Sequence, residues 1–165
     1  IASIDLNLRP YSSEVLGNII YGPSYISLET ALGHYGFIPE RVEIVSSICL
    51  GNSRKFNTPV GRFEYCHVKE TIYPAGIILK EIFSGFFCLF SSPEKALLEF
   101  IYLREKCGEF RNAKEYFNYL LESYRLDLDT IKATIKIKKI QRLAILYPTR
   151  RIKLFCQELK MRLIK

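Results

Sequence analysis

The sequence contains no apolar run long enough to cross a bilayer. Its longest apolar stretches, AGIIL and FSGFFCLF, have the length of a strand, whereas a spanning helix needs about 20 apolar residues. The N-terminus also lacks a basic stretch followed by an apolar signal segment. These absences predict a soluble, cytoplasmic protein that has no membrane partner.

Residues that bind metals are scarce. The chain has two histidines and five cysteines, with no Cys-x-x-Cys pair, which disfavours a structural zinc site or a disulfide framework. Cys66 and His67 are neighbours in a predicted strand, so they face opposite sides of the sheet and cannot easily share an ion. We expect no metal, no cofactor and reduced cysteines at Cys49, Cys66, Cys88, Cys107 and Cys156.

Known catalytic and nucleotide-binding motifs are also missing: there is no Walker loop and no Gly-x-Gly-x-x-Gly turn after a strand. The closest candidate is YISLETALGHYG, which holds Ser27, Glu29, Thr30 and His34, but Ser27 lacks the flanking glycines of a nucleophile elbow. Ser27 and Thr30 lie at a predicted helix start, where hydroxyls cap free amides. His34 lies near the helix end, where a partly protonated imidazole is favourable. We predict a capped helix followed by a strand, and no enzymatic activity.

Periodicity and capping residues predict helices first, strands next and helices last. Helices are predicted within 9–23, capped by Ser12 or Ser13, and near 26–35, followed by a strand over 41–50. A hairpin within 54–70 and two strands over 76–83 and 85–90 complete the sheet. The order predicts an α+β fold with N-terminal helices, a small, mostly antiparallel sheet containing a β-hairpin, and a C-terminal helical bundle.

The later helices carry clearer signals. Ser91 with Glu94 fits a capping box, Gly108 ends that helix, and Asn112 with Glu115 fits a second box. Residues 129–147 alternate partly like a strand, but a helical stripe favours a helix, and whether it is one helix stays open. The stripe is Ala133, Ile137, Ile140, Ala144 and Tyr147. Pro148 ends this segment, and Thr149 can cap a helix over 150–165.

Charge is distributed unevenly along the chain. Residues 1–102 hold 8 Lys and Arg against 10 Asp and Glu, a net charge of −2, whereas residues 103–165 hold 16 against 7, a net charge of +9. We expect one domain over 1–165, with an α/β core of about 1–128 and a basic helical end of 129–165. This asymmetry favours an acidic partner, either a nucleic acid or an acidic protein face.

The basic end offers a candidate interface. On a helical wheel, Ile152, Phe155 and Leu159 belong to the core stripe of 150–165. The basic residues outside such stripes are the candidate nucleic-acid or partner surface: Lys138, Lys139, Arg142, Arg150, Arg151, Lys153, Lys160 and Arg162. Each could add a salt-dependent phosphate contact without reading a base. Leu154, Met161 and Ile164 also lie off the stripe, so a protein partner is an alternative, and a merely solvated face is another.

Three blocks, taken together and in order, resemble a known family. They are YGPSYISLETALGHYGFIPERV, FNTPVGRFEYCHVK and SSPEKALLEFIYL. The chain resembles the AbiEi-family antitoxins of bacterial type IV toxin–antitoxin (abortive infection) systems, which are described as transcriptional regulators. The resemblance covers roughly residues 12–125 and extends loosely to PTRRIKLFCQEL.

The resemblance implies a DNA-binding winged helix-turn-helix followed by an α/β domain that serves repression and antitoxicity. The implied partners are operator DNA and a nucleotidyltransferase-like toxin, whose effect such antitoxins oppose without obligatory tight binding. Because the chain begins at Ile1 and shows no recognition helix in 1–24, we expect that it holds the second domain and that the winged helix lies upstream. The family has no catalytic residues to carry over, so 25–36, 61–65 and 92–98 are expected to determine the fold.

The leading hypothesis is therefore a non-enzymatic, antitoxin-like regulator whose basic end supports DNA binding. The alternative is a protein-interaction module that does not bind DNA and docks a partner through its C-terminal helices. A nuclease or nucleotidyltransferase would instead require clustered carboxylates, and the candidates are Glu29, Glu64, Glu70 and Glu81.

Overall fold

The computed structural model describes residues 12–83, 85–105 and 110–164, and in these residues it confirms the α+β fold. The helices are α1 (Ser13–Ile20), α2 (Leu28–His34), α3 (Pro93–Leu103), α4 (Ala113–Ser123), α5 (Leu128–Thr134), α6 (Ile137–Ala144) and α7 (Arg150–Ile164). The strands are β1 (Ser24–Ile26), β2 (Ile44–Cys49), β3 (Arg54–Thr58), β4 (Gly61–His67), β5 (Ile77–Phe83) and β6 (Phe86–Ser91). Within the described ranges, every helix is too short or too polar to cross a membrane.

The strands form one mixed sheet in the order β3-β4-β2-β1-β6-β5. The pairs β1–β2, β3–β4 and β5–β6 are antiparallel, whereas β1–β6 and β2–β4 are parallel. The predicted β-hairpin is confirmed as β3 and β4, in which Thr58 pairs with Gly61. The sheet is therefore mostly antiparallel, as the sequence predicts.

Helices α1 and α3 pack on opposite faces of this sheet. Gly17 of α1 lies so close to the sheet that a Cβ there would be 2.9 Å from both Ile26 Cδ1 and Val45 Cγ1. Tyr25 precedes Ile26 in β1 and faces the other side of the sheet, since side chains alternate along a strand. Its hydroxyl donates to Glu99 of α3 at 2.5 Å. Helices α6 and α7 pack against α3, and α4 packs against α7. These contacts form the predicted C-terminal bundle.

The early part of the chain departs from prediction at one element. Residues 24–26 form β1, which was not predicted, and α2 begins at Leu28 rather than near Ile26. All three β1 residues are buried. A buried strand of three residues is too short to show the alternation of apolar and polar residues by which strands are recognised in a sequence. Its residues were therefore assigned to the start of a helix.

Most predicted helix caps are confirmed. Ser12 accepts the N–H groups of Glu14 and Val15 at the start of α1, and Asn112 accepts the N–H of Glu115 at 2.9 Å. The prediction for α3 is wrong by one residue. Its cap is Ser92, which accepts the N–H of Lys95, because Ser91 is still paired in β6.

The segment 129–147 is helical, as favoured, but it forms two helices. Helix α5 ends at Thr134 and α6 begins at Ile137, with Ile135 in an extended conformation between them. Thr149 accepts the N–H of Ile152 at 3.4 Å and so caps α7 as predicted. Gly108, the predicted end of α3, lies outside the described residues.

Candidate functional site

In the suspected catalytic stretch, the hydroxyls of Ser27 and Thr30 form hydrogen bonds to other elements of the fold. Ser27 Oγ donates to the buried Glu99 carboxylate at 2.5 Å. Thr30 Oγ1 donates to the carbonyl of Ile44 and accepts the N–H of Ser46, which ties α2 to β2. Neither side chain caps α2, so that part of the prediction is wrong. Both are used in contacts across the fold, which local sequence spacing cannot reveal.

His34 lies on the exposed side of α2, as predicted, but its protonation differs from expectation. Its ring lies 5.0 Å from that of Phe90 and near Tyr35. Partial burial of the imidazole and the nearby Lys80 ammonium lower the pKa of His34, against a smaller opposing effect of Glu14. The neutral ring is therefore favoured. The stabilisation of a charged imidazole by the C-terminal end of α2 is therefore outweighed by burial and by Lys80.

The four candidate carboxylates do not converge. Glu29 and Glu64 line one cleft and both bind Arg104, with 2.8 Å between Arg104 Nε and Glu29 Oε1. Glu70 and Glu81 are not part of that cleft. An enzyme built on this set is therefore not supported, because the two carboxylates that meet are already neutralised by a guanidinium.

Glu64 is held in its charged form. Burial alone would raise its pKa, but hydrogen bonds from Arg104 and Lys55 outweigh that effect and lower it. The pKa of the Arg104 guanidinium is raised in turn: burial opposes its charge, and Glu64 and Glu29 outweigh the burial. A carboxylate of this kind is a poor proton donor or acceptor near neutral pH. Its role is to hold Arg104.

A second polar cluster is completely buried beneath the sheet. Glu99 Oε1 accepts from the hydroxyls of Tyr25 at 2.5 Å and Tyr147 at 3.3 Å, and lies 3.2 Å from Lys95 Nζ. Glu99 Oε2 accepts from Ser27. All five side chains are inaccessible to solvent. Burial raises the pKa of Glu99 and lowers that of Lys95, but each group has the partners that a buried charge needs.

This buried cluster connects two of the three sequence blocks quoted above. Tyr25 and Ser27 belong to the first block, whereas Lys95 and Glu99 belong to the third. Leu28, which follows Ser27, has a positive φ of 53°, an unusual conformation for leucine. The blocks therefore meet in the core, as expected for residues that determine the fold. Sequence reasoning missed the cluster because its members lie far apart along the chain.

The predicted basic surface divides into two groups. Four of its residues make contacts inside the described chain: Lys139 with Glu94, Arg150 with the carbonyl of Phe110, Arg151 with Glu105, and Arg162 with Glu158 and Asn118. The other four are exposed and form no ion pair with any described residue: Lys138, Arg142, Lys153 and Lys160. Half of the predicted surface therefore contributes to holding the helices in place.

The basic residues around the start of α6 share one surface. Lys136, Lys138, Lys139 and Arg142 line a shallow cavity of about 500 Å³ together with Ile137; we call these four residues the α6 basic patch. Lys138 and Arg142 are four residues apart, which places them on the same side of the helix. Lys136 was not among the predicted residues. It is the residue that precedes α6, at a break between α5 and α6 that the sequence does not mark.

The predicted apolar contacts differ in exposure. Met161 is 57% exposed, whereas Leu154 is partly buried and packs against the core. The side chain of Ile164 lies outside what the structure describes. Of this set, Met161 offers the clearest surface to a partner.

The described cysteines are free thiols, and Cys107 lies outside the described residues. Cys49 and Cys88 are buried, whereas Cys66 and Cys156 are half-buried. Burial raises the pKa of Cys66, Cys88 and Cys156 to about 11 each, which keeps these thiols protonated. Within the part of the chain that the structure describes, no three histidine, cysteine or acidic side chains are grouped as metal ligands would be.

Comparison with family models, curated proteins and solved structures finds no match to this chain. The likeness to AbiEi antitoxins therefore stays a prediction from the three sequence blocks.

Proposed function

We propose that this chain is the second domain of a non-enzymatic, antitoxin-like transcriptional regulator, and that the α6 basic patch contacts the phosphates of operator DNA. The observation that carries the proposal is the convergence of Lys136, Lys138, Lys139 and Arg142 on one cavity. In this proposal a winged helix upstream reads the operator sequence. The chain also opposes a nucleotidyltransferase-like toxin, without a stable complex.

The chemistry of the patch suits phosphate. Lys138 and Arg142 are exposed and make no ion pair with a described residue, so their charges are available to a polyanion. Lys139 is 42% exposed and is held by Glu94, which fixes its position. Contacts of this kind release counterions from DNA, so they add affinity that falls with salt and does not depend on sequence.

The test measures binding of the chain to a fluorescent 20-base-pair duplex by anisotropy over a range of salt concentrations. The triple variant Lys136→Gln, Lys138→Gln, Arg142→Gln should bind with a weaker salt dependence. The negative slope of log K against log salt should shrink in magnitude by about 2 to 3, because each phosphate contact contributes about 0.9. A matched variant removes the same charges from exposed positions elsewhere: Lys69→Gln, Arg111→Gln and Lys114→Gln. It should leave the slope nearly unchanged.

Equal slopes for the two triple variants would refute the assignment of DNA contact to the α6 basic patch. If the wild-type chain binds no duplex even at about 50 mM salt, where phosphate contacts are strongest, the protein-interaction module becomes the better function. Met161, with 57% of its surface exposed, is then the first residue to substitute.

A further inference from the structure

A second cavity is lined by residues of α2, β2, β3 and β4, of the loop before β2, and of the C-terminal ends of α3 and α4. We call it the Arg104 cleft, after the side chain that Glu29 and Glu64 hold in its wall. Its volume is about 780 Å³, within the range of roughly 300–1,000 Å³ that small-molecule sites occupy. Nothing in the proposed DNA contact uses it.

The wall combines apolar side chains with fixed charges. Ile38, Val42 and Ile44 line it, and Ile44 is 37% exposed, so an apolar surface is open to a ligand. Arg104 is anchored by two carboxylates and is therefore held in one position without a ligand. Apolar surface with a few positioned polar groups is the usual composition of a ligand site.

Among the described residues that line the cleft, one basic side chain has no ion pair. Glu64 is paired with Lys55 and Arg104, and Glu29 with Arg104. The rim carboxylates are also paired, Glu43 with Arg62 at 2.5 Å and Glu40 with Arg125 at 3.3 Å.

Arg41 also lines the cleft, is exposed, and forms no ion pair with any described residue. The carboxylates of the cleft are already neutralised, so a cationic ligand would find no unpaired partner. An anionic ligand would find Arg41, whose guanidinium matches the geometry of a carboxylate.

We propose that the Arg104 cleft binds a small molecule that has an apolar ring system and a single carboxylate. The carboxylate pairs with Arg41, and the ring packs against Val42 and Ile44. This site is separate from the α6 basic patch, so the two proposals can fail independently.

The test uses three probes with the same ring and different charge: 2-naphthoate, 2-naphthamide and 2-naphthylmethylammonium. Each is titrated into the isotope-labelled chain, and affinity and location are read from amide chemical shifts. Naphthoate should bind most tightly and the ammonium most weakly, with shifts concentrated in residues 38–46. The variant Arg41→Gln should weaken naphthoate about fivefold, the upper end for an exposed ion pair, and leave naphthamide unchanged.

Two further variants make the result decisive. Arg111→Gln removes an exposed arginine elsewhere and should not change naphthoate binding. Ile44→Trp should fill the cleft and abolish binding of both naphthoate and naphthamide. If Ile44→Trp does not fold, the comparison of Arg41→Gln with Arg111→Gln still decides the question.

Three results would each overturn the proposal: equal affinity for naphthoate and naphthamide, equal effects of Arg41→Gln and Arg111→Gln, or shifts confined to residues 136–142. The last result would place the anion on the α6 basic patch instead.

Discussion

The carboxylate of Glu94 accepts the backbone N–H of Lys136 at 3.2 Å, although the two residues are 42 positions apart. The same carboxylate lies 2.9 Å from Lys139 Nζ. Lys136 precedes α6 and has no capping hydrogen bond from its own side chain. A carboxylate from the first turn of α3 therefore serves the start of α6, where a negative charge is favourable, and sets the position of the basic patch.

Replacing Glu94 with glutamine should destabilise the fold in a pH-dependent manner. Burial raises the pKa of Glu94, but the hydrogen bonds from Lys139 and Lys136 outweigh burial and lower it. A carboxylate whose pKa is lower in the folded state than in the unfolded state stabilises the fold at pH values above its unfolded-state pKa. This stabilisation is lost as the pH falls through the folded-state pKa. Glu94→Gln should therefore lower the free energy of unfolding by about 1–2 kcal/mol at pH 7.

Urea unfolding at pH 7 and near pH 3 checks this prediction. The difference between wild type and Glu94→Gln should shrink below about pH 4, the ordinary range for glutamate. Glu122→Gln, at an exposed site without an ion pair to any described residue, should have little effect at either pH. A difference that is the same at both pH values would contradict the role given to the Glu94 charge.

The buried Lys95–Glu99 pair should respond to substitution as a unit. Glu99→Gln leaves the Lys95 ammonium buried without a counter-charge, and breaking such a pair costs about 3–5 kcal/mol. Lys95→Met combined with Glu99→Gln removes both charges while the amide oxygen can still accept from Tyr25 or Tyr147. The double variant should therefore be more stable than Glu99→Gln alone, by at least about 1 kcal/mol.

A double-mutant cycle checks this prediction: the free energies of unfolding of Glu99→Gln, Lys95→Met and the double variant are measured by denaturant unfolding and compared with that of the wild type. A double variant that loses the sum of the single losses would mean that the two charges do not interact. The side chains are 3.2 Å apart and fully buried, so we expect strong coupling.

The close approach of α1 to the sheet predicts a difference between two helical glycines. Gly17→Ala would place a methyl group 2.9 Å from Ile26 Cδ1 and Val45 Cγ1, and such overpacking costs about 1–3 kcal/mol. Gly33→Ala would meet Val42 Cγ2 at 3.3 Å, and the higher helix propensity of alanine, worth about 1 kcal/mol, should offset that contact. Thermal unfolding should therefore show a lower Tm for Gly17→Ala than for Gly33→Ala. The reverse order would contradict the close packing of Gly17 against Ile26 and Val45.

The elements that sequence reasoning located are those specified by their own residues. Helices α4 and α7 carry their own caps at Asn112 and Thr149, and the β3–β4 hairpin carries its own turn at Pro59–Val60. A cap and a turn act within a few residues, so they can be recognised locally.

The features that sequence reasoning missed depend on distant partners. No proline or glycine separates α5 from α6; the contact at the break comes from Glu94. Ser27 resembles a helix cap by spacing, but its hydroxyl is drawn to Glu99, 72 residues away. A helical wheel likewise cannot show that Lys139 and Arg151 are paired with acidic residues of another segment. The division of the candidate residues into paired and exposed charges therefore depends on the fold and cannot be read from the sequence.

The central position of strand β1 in the sheet affects how the protein unfolds. It contributes three residues, yet it is the element through which β3-β4-β2 and β6-β5 belong to one sheet, and its register with β6 is the single pair Ile26–Phe90. If the sheet parts at this single pair, β1 stays on β2, and the Tyr25 hydroxyl must also leave the Glu99 carboxylate of α3, the helix that follows β6. We therefore expect the β1 amides to exchange more slowly than other amides in the part of the chain that the structure describes, because they open only when the whole fold does.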